Sequence, residues 1–167
     1  MIRTATDILK EAILLERRGK EFYSVVAEKS DSKSARQIFE MMAREEDEHI
    51  KFLSSQFAHY AKTNKFKSIN NVEEEVDDEI AMRVLSEDFK KEVGAASFEA
   101  AAISAAIDFE TRAVKLYSER AEEATDKNEK EMYLMLAKWE MGHQKSLHEL
   151  SDSLKEDIWN DNNFWPF

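Results

Sequence analysis

Apolar residues recur at spacings of three and four along four long stretches of the chain, which is the period of a helix with one buried face. Ile8, Ala12, Leu15, Gly19, Phe22 and Val26 mark a first helix over about residues 7–29, with Thr6 or Asp7 placed to cap it. A polar turn at residues 30–34 leads into a second helix over about 35–61, whose stripe carries Ile38, Phe39, Met42, Phe52 and Leu53. Ser97 reads as the N-cap of a third helix running to about 124. After a turn at 125–128, Met132, Tyr133, Leu136, Leu147 and Leu150 mark a fourth over about 129–153. Residues 62–96 break the pattern: the middle is acidic (Glu73, Glu74, Glu75, Asp77, Asp78, Glu79), and residues 80–93 predict a short extra helix. Two short turns flanking one long connection predict an all-α fold, a four-helix bundle of two hairpins joined by a crossover. An aromatic tail from Trp159 to Phe167 is expected to pack on the bundle or on a partner.

The two hairpins are copies of one another. Of the 41 positions from 13 to 53, 14 are identical to the residue 94 places later, where average residue usage gives roughly two or three. Glu16 falls on Glu110, Tyr23 on Tyr117, Glu46 on Glu140 and His49 on His143. Duplicated hairpins pair about a pseudo-twofold axis, and a site on that axis receives matched groups from both halves.

Six of the repeated residues are polar yet occupy apolar stripes. Glu46 and His49 sit in the series Phe39, Met42, Leu53, and Glu140 and His143 in the series Met132, Leu136, Leu147. Glu16 lies seven residues from both Leu9 and Tyr23, and Glu110 seven from both Ile103 and Tyr117. Seven residues return within about 20° of the same helix face, and three within about 60°. All six side chains are therefore expected to point inward. A lone Glu-x-x-His on a charged helix is commonplace, and a lone His on an apolar face is more often a satisfied core residue. Four buried carboxylates are another matter. Each costs several kcal/mol without a partner, and together they outweigh a typical domain stability of about 5–15 kcal/mol. No Lys or Arg recurs at matching positions on the apolar stripes to neutralise them. Two divalent ions do: four negative charges meet four positive ones, and neutral imidazoles add none. Hard oxygen donors with one imidazole per ion suit iron or manganese, and zinc fits as well; calcium would not choose the histidines. Tyr23 and Tyr117, two turns from Glu16 and Glu110, are candidates to orient the carboxylates, or are core aromatics.

Composition narrows the chemistry further. The 167 residues include no Cys, which excludes disulfides, thiol catalysis and thiolate-held metal or iron–sulfur centres. Three Gly and one Pro leave no material for a Gly-rich phosphate loop. A net charge of −11 disfavours nucleic acid and anionic membrane surfaces as partners. No apolar run is long enough to span a membrane, and residues 1–10 lack a signal-peptide core. A single domain over 1–167 and a cytoplasmic location are the expectations.

With these residues in place, the chain resembles the rubrerythrin-like branch of the ferritin-like superfamily. The segments that carry the resemblance are Leu15 to Tyr23 (LERRGKEFY), Ala43 to His49 (AREEDEH), and their partners around Glu110 and from Ala137 to His143. One Glu from each of two helices and Glu-x-x-His from each of two others is the ligand pattern of ferritin-like di-metal proteins. The resemblance implies two iron ions bridged by Glu46 and Glu140, with Glu16 and Glu110 as terminal ligands and one histidine, His49 or His143, on each ion. It also implies reduction of hydrogen peroxide or dioxygen. Two departures stand out. Rubrerythrins carry an extra Glu one turn from the third-helix ligand, where this chain has Ile107 and Ala113. Full-length rubrerythrins also carry a Cys-rich rubredoxin domain, so here an external electron-donor protein is expected.

The remaining residues are read more plainly. His59 and His148 lack repeat partners and are expected in solvent; Trp139 is expected to pack at the bundle edge or a homodimer interface. The acidic crossover is expected to be a solvated face, or more weakly a path for cations. The alanines opening the third helix allow close helix approach. Three functions stay open: a di-iron oxidoreductase acting on peroxide or dioxygen, a ferroxidase or iron-binding protein for iron handling, and a helical module with a structural metal site.

Overall fold

The computed structural model describes residues 4–69, 79–94 and 97–160, with the side chains of 79–81 and 157–160 left aside. The described residues form five helices: α1 (Ala5–Lys29), α2 (Lys33–Thr63), α3 (Glu79–Glu92), α4 (Phe98–Glu123) and α5 (Lys127–Asn160). α1 packs along α2 and α4 along α5, giving the two expected hairpins; α1 meets α4 across the bundle, and α3 rests on α2 and α5.

Helix ends follow capping chemistry, with small corrections to the sequence reading. Thr4, rather than Thr6 or Asp7, caps α1, in a capping box whose other half is the Asp7 carboxylate accepting from the Thr4 backbone N–H at 3.1 Å. Ser32 caps α2 two residues earlier than expected, its hydroxyl accepting from the Ala35 N–H at 3.0 Å. α2 runs on to Thr63 and stops at Asn64, which takes the left-handed conformation (φ 53°) that Asn tolerates as a C-cap. Ser97 caps α4 as expected. α5 extends seven residues past Ser153, because Leu154 adds one more buried turn to the stripe. In α1 the innermost face is Leu9, Ala12, Glu16, Gly19, Tyr23 and Val26, with Ile8, Leu15 and Phe22 flanking it half-buried.

α3 anchors the long connection against the first hairpin. Its Phe89 is fully buried, and the Glu92 carboxylate accepts from the Ser32 hydroxyl (2.6 Å), the Ser34 N–H (3.1 Å) and the Ser34 hydroxyl (2.9 Å) at the start of α2. An anion is favoured there by the exposed amides and dipole of the helix N-terminus. Glu99 of α4 ties the same turn, accepting from the Asp31 N–H at 3.0 Å. Of the acidic crossover, Glu73 to Asp78 lie outside the described residues, as does the tail beyond Asn160.

The core is split. One apolar cluster gathers Tyr23, Ile38, Phe39, Met42, Phe89, Ile103, Leu147 and Leu150 at one end of the bundle. The other gathers Leu9, Leu53, Tyr117, Met132, Tyr133 and Leu136 at the opposite end. Along every long helix the residues between the two clusters are the polar ones: Glu16, Glu46 with His49, Glu110, and Glu140 with His143.

Candidate metal centre

Each of the four long helices delivers its polar residue to this middle layer by the same heptad logic that delivers its apolar neighbours. The six side chains are between 0 and 6 % exposed. They form two groups whose candidate donor atoms lie within 4.8 Å of one another: Glu16, Glu46, His49 and Glu140, and Glu46, Glu110, Glu140 and His143. Glu46 and Glu140 belong to both groups, and each remaining residue to one. Every residue singled out for this site in the sequence is thus brought to one place.

Both imidazoles turn Nδ1 towards the carboxylates. His49 Nδ1 lies 3.1 Å from Glu16, 3.1 Å from Glu140 and 3.6 Å from Glu46. His143 Nδ1 lies 3.4 Å from Glu46 and 3.5 Å from both Glu110 and Glu140. Despite this crowding, both oxygens of Glu46, both of Glu140, Oε2 of Glu110 and Nδ1 of His143 make no hydrogen bond. Buried polar atoms are nearly always satisfied. Six orphaned atoms converging on one layer, all of them good donors to a hard or borderline divalent ion, fit a bound metal.

The electrostatics record the strain of holding these acids together. Burial, reinforced by the Glu140 charge, pushes Glu16 far above the usual carboxylate range, and burial likewise pushes Glu110 up to about 8. Burial would raise Glu46 and Glu140 too, but the histidines outweigh it and both are held low. The histidines are correspondingly raised well above an ordinary imidazole, burial opposing and the surrounding carboxylates prevailing. These shifts favour the protonated form of Glu16, Glu110 and both imidazoles and the ionised form of Glu46 and Glu140.

The two tyrosines act across the duplication. Tyr23 donates its hydroxyl to Oε1 of Glu110, and Tyr117 donates to Oε1 of Glu16. Each hairpin's phenol thus fixes the other hairpin's carboxylate. The rings behind them are also paired, Tyr23 stacking on Phe39 with centroids 6.1 Å apart and Tyr117 on Tyr133 at 6.2 Å.

A model of the rubrerythrin family matches residues 7–150 of the chain, a span that contains all six residues of the centre. The chain belongs to the rubrerythrin family. Its fold is accordingly the ferritin-like helical bundle expected from the sequence, and the buried Glu/His cluster occupies the heart of the matched region. Neither the curated proteins nor the solved structures searched contain a match.

Two residues touch the centre in ways the sequence reading does not give. Glu45, within the acidic AREEDEH segment, accepts from His143 Nε2 at 2.8 Å. Trp139 lies flat on the His49 ring, centroids 4.8 Å apart and planes 9° from parallel, with Phe52 edge-on to it at 5.6 Å; it packs against the site and not merely at the bundle edge. A signal was available, since position 45 falls on position 139 in the repeat. His148 is exposed and His59 half-buried, and neither joins the cluster. No described helix is long and apolar enough to cross a membrane.

Proposed function

We propose that the chain is a di-iron carboxylate oxidoreductase that reduces hydrogen peroxide or dioxygen. The observation that carries this reading is the overlap of the two donor groups in Glu46 and Glu140. Shared by both four-donor sets, Glu46 and Glu140 would serve both ions, while Glu16 and His49 would hold one and Glu110 and His143 the other. Four carboxylates balance two divalent charges, so the occupied layer is formally neutral between its apolar flanks. Oxygen-rich sets with one imidazole each favour iron, with manganese or zinc able to replace either ion.

When bound, a ferrous pair supplies the two electrons that cleave an O–O bond. The protein's part is positioning. Tyr117 and Tyr23 each tether one oxygen, Oε1 of Glu16 and Oε1 of Glu110, which fixes the orientation of those carboxylates. The apolar clusters on either side restrict water. Gly19 keeps a space open beside Glu46: a Cβ there would stand 3.2 Å from the Glu46 carboxyl carbon and 2.9 Å from the Phe109 ring. The 167 residues hold no thiolate-bound redox centre, and an external electron-donor protein is the source of reducing equivalents in this reading.

Iron handling by a ferroxidase is the competing reading, supported by the absence of an acid at Ile107 and Ala113 beside Glu110. Rapid mixing of the anaerobic diferrous protein separates the two. Faster oxidation by hydrogen peroxide than by dioxygen is expected; equal or reversed rates favour iron handling.

A further inference from the structure

The repeat treats one position in two ways. Glu45 and Trp139 are equivalent under the 94-residue shift, and each touches the histidine contributed by the other hairpin. Glu45 reaches from α2 to Nε2 of His143 on α5. Trp139 reaches from α5 to the ring of His49 on α2. Duplication preserved the six residues of the centre and the two tyrosines, but this neighbouring position diverged from an acid to an indole.

We propose that Glu45 is a positioning residue that selectively strengthens the ion bound by Glu46, Glu110, Glu140 and His143. The inference rests on the di-metal reading above. Nε2 is the ring nitrogen that faces away from the cluster, and Nδ1 is the one that faces Glu46, Glu110 and Glu140 while making no hydrogen bond. An imidazole that donates Nε2–H to a carboxylate presents the Nδ1 lone pair to a metal. The acceptor also fixes the ring plane and makes Nδ1 a stronger donor. Glu45 suits this task because its side chain is 23 % exposed and bends inward from the helix to make a 2.8 Å bond. Glu48, also on α2 but 65 % exposed and paired with Lys51, makes no such contact.

The test is cobalt(II) binding, followed by calorimetry for stoichiometry and by tryptophan fluorescence. Trp139, flat on His49, reports the ion on that side, and Trp139→Phe assigns the signal. Wild type is expected to take up two ions. Glu45→Ala, with a strong helix former at a partly exposed position, is expected to weaken one of them by about 10–100-fold while the Trp139 quenching midpoint holds. Glu45→Gln, which retains an acceptor oxygen, is expected to restore part of the loss, and Glu48→Ala is expected to change neither ion. Should Ala perturb the far-ultraviolet circular dichroism, Glu45→Leu removes the acceptor while keeping side-chain bulk. Two ions bound with wild-type affinity in the acceptor-less variant overturn the role of Glu45 alone. So does equal weakening of both ions in Glu45→Ala and Glu48→Ala. A wild type that binds no cobalt overturns the metal-centre reading and this inference with it.

Discussion

Tyr23 of the first hairpin donates to Glu110 of the second, and Tyr117 of the second donates to Glu16 of the first. These crossed bonds join two hairpins whose direct helix contacts are concentrated within each pair. Replacing either phenol leaves a buried carboxyl oxygen without its donor, which costs about 1–3 kcal/mol. Tyr23→Phe and Tyr117→Phe are each expected to lower the stability of the metal-free protein by that amount in urea denaturation. An unchanged midpoint in both would show that the phenols pack without anchoring.

The metal-free protein is expected to lose stability as pH rises. Glu110 is held at about 8 when folded, against an ordinary 4.5. Between those values the folded state keeps a proton that the unfolded state has lost, so stability falls across that window. Both histidines are raised as well, so their contribution is complete below about 6.5 and is lost as pH climbs through their folded values. Glu46 and Glu140 are lowered, so theirs is lost only on acidification below about 4.5. The urea midpoint measured with a chelator should therefore be higher at pH 5 than at pH 9.

Metal binding should invert that dependence. The raised groups Glu16, Glu110, His49 and His143 must give up protons to bind, so uptake of metal at pH 7 is expected to release protons, and affinity to fall as pH falls. Titration in a weakly buffered indicator solution measures the release directly. A release near zero would mean that these four groups are already deprotonated.

Two glycines within helices make a contrasting pair. Gly19→Ala brings a methyl against Phe109 and the Glu46 carboxyl group and is expected to reduce metal affinity. Gly142→Ala meets nothing within 4 Å and lies within α5. It is expected to stabilise by about 0.5–1 kcal/mol through helix propensity and to leave metal binding intact. Thermal melts and metal titrations of the two variants check both halves of the contrast.

Much of this centre was legible in the sequence because heptad spacing assigns a side chain to a face, and four ionised acids on apolar faces call for cations to balance them. The same spacing does not say which helix a side chain will meet. Tyr23 was therefore placeable near the carboxylates, while its choice of Glu110 over Glu16 needed the packed bundle. Glu45 and Trp139 lie beside the buried stripe rather than on it, where periodicity gives no inward signal; the repeat pairs the two positions, and the packed bundle supplies their contacts. The last helix outruns its expected end at 153 because its apolar stripe does not stop at Leu150 but continues to Leu154, buried one turn on. The α2 cap was displaced because Lys33 and Ser34 look like turn residues, although Ser32 and Glu92 already satisfy the first amides.

The claim on which the rest depends is that Glu46 and Glu140 each hold both ions. Elemental analysis of purified wild type, Glu46→Ala and Glu140→Ala tests it most directly. The expected result is two metal ions per chain in wild type and loss of most of the metal in each variant. Full occupancy retained in both variants, or a wild type purified with no bound metal and unable to take it up, would contradict the account.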